Sequence, residues 1–240
     1  MSRRLRLFPL NAVLFPGAVL NLHVFEPRYK QMILECIESG EGFGVTLIAE
    51  GAEAGDPNVV PHEIGSVAEI VDVTALPFGR YFISTIGRER FRIQEILSRD
   101  PFFIVDAEMI EEDMGGEADA QIERLLPEVR GLFEEYLEML VEFSGYTADV
   151  ELPGDAAGAS YLIGDMLQVA DAVKQRLLEL SGTRARLEAE REFLQRVIPQ
   201  LGRLLERRRR ELEERGDSGG EDQAYRADQE RYFGKFFSAN

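Results

Sequence analysis

The sequence predicts an α+β protein: a compact β sheet or barrel with one early helix, then a helical bundle with a long last helix. Three observations predict it. Up to residue 110, short apolar and β-branched runs are separated by turn residues about every 8–12 positions. From Gly116 onward the apolar residues recur at i, i+3, i+4 and i+7. The charge changes at the same place: residues 1–110 carry a net −5, 111–157 carry −12, 158–215 carry +2 and 216–240 carry −2. The expected division is a β-rich part over 1–112, a helical bundle over 113–215 and a flexible tail over 216–240.

Leu5–Leu10 is the first apolar run, ended by Asn11–Ala12 and the Phe15-Pro16-Gly17 break. Val19–Val24 alternates in part, as a strand with one buried face does. Pro27 pre-sets φ for a first helical turn, with Glu26 before it on the positive helix end. Tyr29, Met32, Ile33, Cys36 and Ile37 then share one helical face, and Gly40 stops the helix. Phe43–Ala49 reads as the next strand, and Gly51–Pro61 as a loop rich in Gly, Asp and Pro. Ile64–Leu76 is β-branched, and Pro77–Arg80 turns it back into Tyr81–Ile86. Gly87–Glu89 is expected to turn again into Phe91–Ile96, and Phe102–Ile110 closes the series.

In the helical part, Ile122, Leu125, Val129, Phe133, Tyr136 and Leu140 form one stripe, with acids opposite. Pro127 inside it predicts a kink or the true first turn. Ser144–Gly145 ends this helix, and Thr147–Ala157 connects. Tyr161–Val169 and Val173–Leu180 predict two more helices. Gly182 then stops the chain, and Thr183 caps a long helix with Leu187, Leu194 and Leu201 at sevens and Val197 and Leu204 between them, the pattern of a hairpin or coiled-coil seam. Pro199 should bend it. Arg207–Arg210 falls on a solvated helix end. The tail carries Tyr232, Phe233, Phe236 and Phe237.

The 240 residues include 44 acids and 27 bases, a net charge of −17. A pI near 4.6 disfavours nucleic acid and anionic membranes, because phosphate contacts need clustered Lys and Arg. The β-rich part carries little of that excess, so the exclusion is weaker there. One cysteine, Cys36, excludes an intrachain disulfide and points to the reducing cytoplasm. Arg3, Arg4 and Arg6 precede an apolar stretch, but Pro9, Asn11, Pro16 and Gly17 interrupt it, so no signal peptide is expected. No window is long and apolar enough to span a membrane.

Catalytic signatures are missing. There is no phosphate-binding Gly-x-x-x-x-Gly-Lys-Ser/Thr loop and no Gly-x-Ser-x-Gly elbow. His23 is expected as a core or rim residue, His62 as an exposed loop residue and Cys36 as buried and inert. The acids Glu111, Glu112, Asp113, Glu117 and Asp119 lack the spacing of a calcium loop. No catalytic residue, cofactor or metal is expected.

Ordered segments carry a resemblance. Leu7-Phe8-Pro9-Leu10-Asn11-Ala12-Val13-Leu14-Phe15-Pro16-Gly17 and Leu20-Asn21-Leu22-His23-Val24-Phe25-Glu26-Pro27-Arg28-Tyr29 resemble the opening of the Lon protease N-terminal, substrate-binding domain. Phe43-Gly44-Val45, Ile64–Ile70, Gly87–Ile93 and Asp171–Glu179 with Arg186-Leu187 follow in the family's order, covering roughly residues 5–205. The resemblance implies a pseudo-barrel related to the PUA fold, then a helical bundle. In full-length Lon this region precedes an ATPase module and a Ser-Lys peptidase module; neither is in this sequence, so a free-standing, non-enzymatic domain is expected. The acidic stretch 111–157 and the aromatic tail depart from the family pattern.

The function this implies is capture of unfolded or client polypeptides. Phe15, Pro16, Phe25, Tyr29, Phe78 and Tyr81 stand next to turns, where apolar side chains can stay exposed. Two alternatives accompany it. One is RNA binding through Arg80, Arg88, Arg90 and Arg92, by analogy with PUA-like domains. The other is an adaptor that delivers substrates to a separate ATP-dependent protease, or oligomerises, through the last helix (Arg203–Arg215) and the tail.

Overall fold

The computed structural model describes residues 2–52, 58–112, 120–144 and 150–215, with side chains through Glu211. The centre of the Gly51–Pro61 loop, Asp113, Glu117, Asp119, Gly145 of the Ser144–Gly145 stop, the start of the Thr147–Ala157 connector and the whole tail lie outside the described residues. In chain order the elements are β1 (Ser2–Leu10), β2 (Val19–Val24), α1 (Pro27–Ser39), β3 (Phe43–Glu50), β4 (Val60–Pro61), β5 (Ile64–Leu76), a 3-10 turn (Pro77–Gly79), β6 (Arg80–Ser98), β7 (Phe103–Ile110), α2 (Ala120–Ser144), α3 (Ala156–Met166), α4 (Asp171–Glu179) and α5 (Thr183–Arg215). They form two compact units. The first is Met1–Glu112 with Asp171–Glu179; the second is Asp113–Ala170 with Leu180–Asn240.

In the first unit the strands follow the order β1-β7-β6-β5-β3-β4, and β1 also pairs with β3 in parallel. Pairing therefore runs around five strands and returns to β1, the pseudo-barrel that the family resemblance implies. Leu5, Leu7, Val67, Phe91, Phe103, Val105 and Ala107 fill its interior. Their alternation along each strand follows the two-residue side-chain period.

Helix α1 starts at Pro27 and ends in a left-handed Gly40, φ 68°. Gly40 N–H donates to the Ile37 carbonyl at 3.4 Å and Glu41 N–H to the Cys36 carbonyl at 3.2 Å, a Schellman stop that needs a residue tolerating positive φ. Tyr29, Met32, Ile33 and Cys36 are buried as expected, and Tyr29 stacks on Phe8 at 3.8 Å. Ile37 is not: it remains exposed.

The sequence expectation of a turn at Gly87–Glu89 is corrected. β6 continues unbroken from Arg80 to Ser98. Gly87 serves close approach instead. It exchanges backbone hydrogen bonds with Gly17 and Ala18 at 2.8 and 2.9 Å, and a Cβ there would lie 2.1 Å from the Phe15 carbonyl oxygen. The first half of β6 pairs with β2, and its second half with β7.

Helix α4 belongs to the first unit although it lies far along the chain. Gln175 Nε2 donates to the Ile64 carbonyl at 3.0 Å, and Arg90 Nη1 donates to the Leu178 carbonyl at 2.7 Å. His62 is not a free loop residue, because its Nδ1 lies 3.2 Å from Glu179 Oε1.

In the second unit α2 and α5 pair along their length. α2 buries Ile122, Leu125, Val129, Phe133, Tyr136 and Phe143 and runs through Pro127, which is therefore not its first turn. α5 begins with Thr183, whose neighbour Gly182 accepts the Arg186 N–H at 3.2 Å. Its buried seam is Leu187, Leu194, Ile198, Leu201 and Leu205. Ile198 and Leu205 replace the expected Val197 and Leu204: each follows a leucine by four residues rather than three, the other spacing that keeps a heptad seam on one face. Arg191 pairs with Glu128 at 3.5 Å, Arg209 bonds Glu142 at 2.7 Å, and Arg208 donates to the Phe143 carbonyl. Part of the arginine run thus meets the acidic α2 rather than open solvent.

Candidate functional site

The outer part of the first unit is a three-stranded ribbon, β2–β6–β5, whose register decides which side chains share a face. Val19 pairs with Ile86, Asn21 with Ser84 and His23 with Phe82. Thr74 lies across from Phe82 and Asp72 from Ser84. Directly opposed residues point the same way, so Val19, His23, Phe82 and Ile86 occupy one face. Phe25 extends it, with its ring 5.9 Å from that of His23. The opposite face holds Leu22, Val24, Tyr81, Ile83, Val73 and Ala75, of which Val24 and Ile83 are buried.

The first face is open and partly apolar: Val19 is 64% exposed, Phe25 54% and Phe82 40%. At the hairpin tip Phe78 is 92% exposed. Its φ is +65°, followed by Gly79 at +63°. A bulky residue in the left-handed region costs of order 1 kcal/mol. This one gains no burial in return. The Arg80 guanidinium sits over its ring at 5.8 Å, and Arg80 Nε donates to the Pro77 carbonyl at 3.1 Å. Ser84 Oγ donates to Asn21 Oδ1 at 2.8 Å, so the polar residues on this face are also organised across strands.

The six residues singled out from sequence separate into two groups. Phe25 and Phe78 are exposed, and Pro16 and Tyr81 are half-buried beside the same ribbon. Phe15 and Tyr29 are core residues, 0% and 3% exposed, and present nothing to a ligand. Val19, Phe82, Val71 and Val73 were missed. Their signal was apolar residues at both parities of a strand, which a one-face alternation reading passes over.

The arginine set does not form one surface. Arg90 is buried, donating to the Leu178 carbonyl and to Glu112 Oε2 at 2.7 Å. Arg88 pairs with Glu69. Among the described residues no group of three or more His, Cys, Asp or Glu could hold a metal ion, and no helix is long and apolar enough to cross a membrane.

Cys36 lies under the ribbon on α1 with its thiol pushed up to about 11 by burial. At pH 8 that lowers the thiolate fraction about a hundredfold relative to an open thiol. Alkylation by iodoacetamide should be slower by at least that factor in the folded protein than in denaturant. Equal rates would show that α1 does not hold this side chain closed.

The fold is a β pseudo-barrel with helices in its C-terminal part, and the family whose model the chain matches is one of substrate-binding modules. The chain belongs to the family of ATP-dependent protease La (LON) substrate-binding domains, whose model matches residues 4–196. It is 27% identical over 198 residues to Lon protease of Anaeromyxobacter dehalogenans (strain 2CP-C), a match covering 80% of this chain and 23% of that protein. Lon protease 2 of Myxococcus xanthus matches with the same identity and coverage. The chain thus spans about a quarter of the length of these relatives. Among solved structures it resembles the Lon N-terminal domain protein from Xanthomonas campestris, with a TM-score of 0.56 and 27% identity, covering 78% of this chain and 96% of that one. The N-terminal domain of Mycobacterium avium complex Lon protease shares the fold at a TM-score of 0.56 and 16% identity.

Proposed function

We propose that this chain is a cytoplasmic, non-catalytic module that captures unfolded or client polypeptides on the β2–β6–β5 ribbon and presents them to an ATP-dependent protease. One observation carries the reading: Val19, Phe25, Phe82 and Phe78 are apolar side chains exposed along this ribbon, with Phe78 held out at a backbone cost. An apolar patch on a stable scaffold takes up exposed apolar side chains without chemistry of its own. Pro16 precedes β2, and Tyr81 lies on the other face of the ribbon, paired with Val24.

The test is binding of a permanently unfolded protein, such as reduced and carboxymethylated lactalbumin, to the full chain. Phe25→Ser with Phe82→Ser should weaken binding at least tenfold, since each removes a large apolar contact. An unchanged affinity in a folded double variant would sink the assignment to this face. Phe78→Gly separates the two roles of the tip. It should raise unfolding free energy by about 1 kcal/mol by removing the left-handed strain while lowering affinity. A loss of stability would mean that Phe78 is a packing residue.

A further inference from the structure

The ribbon has an edge as well as a face. Up to Ala68, β5 lies between β3 and β6; beyond it, over Glu69–Leu76, β6 pairs on one side and, among the described residues, no strand pairs on the other. That edge borders a cleft of about 360 Å³ against the end of α1, lined by Ile37, Ile70, Val71 and Val73 and rimmed by Glu41, Glu69 and Asp72. The volume is at the low end of ligand-sized clefts and holds a few aliphatic side chains. Ile37, Val71 and Val73 are all exposed there. Gly42 closes one end, where a Cβ would lie 2.5 Å from the Ala68 carbonyl oxygen.

Resting on the polypeptide-binding reading above, the geometry points to a sharper ligand class. We infer that an extended segment alternating cationic and aliphatic residues adds to the Glu69–Leu76 edge of β5 as a further strand, its aliphatic side chains entering the cleft. An open edge offers unpaired backbone groups, and a side-chain cleft beneath it supplies selectivity at every second residue. Charge selects the occupant. No cation is among the lining residues; Arg6 reaches Glu41 at 3.2 Å and Arg88 pairs with Glu69 from outside the cleft, while Asp72 has the Thr74 hydroxyl at 3.4 Å. The bulge at Val71, between the Ile70 and Asp72 pairings, and these carboxylates are the devices that deter pairing between copies of one chain. With Glu41 and Glu69 each held by an arginine, Asp72 is the rim carboxylate that meets an added strand, and it favours a cationic side chain over an anionic one.

The probe is a capped ten-residue peptide alternating lysine and valine, titrated against the full chain at low salt. It is compared with the same peptide carrying glutamate for lysine, and with one N-methylated at alternate residues so that one backbone edge cannot donate. The lysine peptide should bind at least tenfold tighter than either. Bound, it should protect amides of residues 69–76 from exchange, and Asp72→Lys should cost several-fold in affinity. Equal binding of the methylated and unmethylated peptides, with unfolded protein still captured through Phe82, would overturn strand addition and leave the broader reading standing. If neither peptide nor unfolded protein binds, both readings fall.

Discussion

Replacing Arg90 by methionine should lower the unfolding free energy of the first unit by about 3 kcal/mol, the usual cost of breaking a buried hydrogen-bonded ion pair from one side. The guanidinium is 2% exposed and joins three parts of the chain: β6, which carries it, the Leu178 carbonyl of α4, and Glu112 after β7. Methionine keeps most of the volume, so lost pairing rather than a cavity dominates. The effect should be visible locally before it is global. Amide exchange in α4 should accelerate, because the helix loses its Leu178 bond to β6 and keeps those of Gln175 to Ile64 and Glu179 to His62. Equilibrium denaturation measures the first quantity and exchange mass spectrometry the second. A variant with native exchange in α4 would show that Arg90 does not hold it.

A comparable loss, about 3–5 kcal/mol, is expected in the second unit from Arg186→Leu. Arg186 is 0% exposed, lies over the Tyr161 ring at 3.7 Å and donates from Nε to Ser160 Oγ at 2.8 Å. Ser160 Oγ in turn donates to Glu190 Oε1 at 2.9 Å. Removing the cation leaves a buried carboxyl with a single hydroxyl partner. The double variant Arg186→Leu, Glu190→Leu should recover much of the loss, since an apolar pair carries no desolvation cost. If the double variant is as unstable as the sum of the two single ones, the groups do not act together.

The same network gives a pH dependence of known sign. Burial raises the Glu190 carboxyl well above the ordinary range, against the opposing pull of Arg186 and the Ser160 hydrogen bond. The folded state therefore binds the proton more tightly than the unfolded one. Its contribution is fully present below the unfolded value of about 4.3 and is lost as pH rises through the folded value. Relative to Glu190→Gln, which cannot titrate, the natural protein should lose stability as pH rises from about 4. A difference that stays flat or grows would mean that Arg186 holds this group as a settled carboxylate.

Much of this architecture was legible because it is written in local periodicities. The β-rich first part, the Pro27 start and Gly40 stop of α1, and the α2 stripe all follow from side-chain period and backbone tolerance. What was not legible depends on partners distant in sequence. Gly87 looks like a turn residue until Phe15 is placed against it. Arg90 looks like one of four surface arginines until Leu178 and Glu112 surround it. The apolar ribbon stayed hidden for a related reason. Phe82 and Val19 are ordinary strand residues on their own, and only the β2–β6 register, which sets His23 against Phe82 and Val19 against Ile86, puts them on one exposed face.

The long-range origin of α4 bears on how such a chain is made. Translation proceeds from the N-terminus, and domains form as their residues emerge. The β ring is synthesised by Ile110, yet the helix that bonds Arg90 and Ile64 arrives only with residues 171–179. Between those points a nascent chain holds a guanidinium for which the Leu178 carbonyl has not yet been made, and a β5 to which α4 has not yet bonded. Its period of greatest need for a chaperone is therefore set by the roughly sixty residues still to be polymerised.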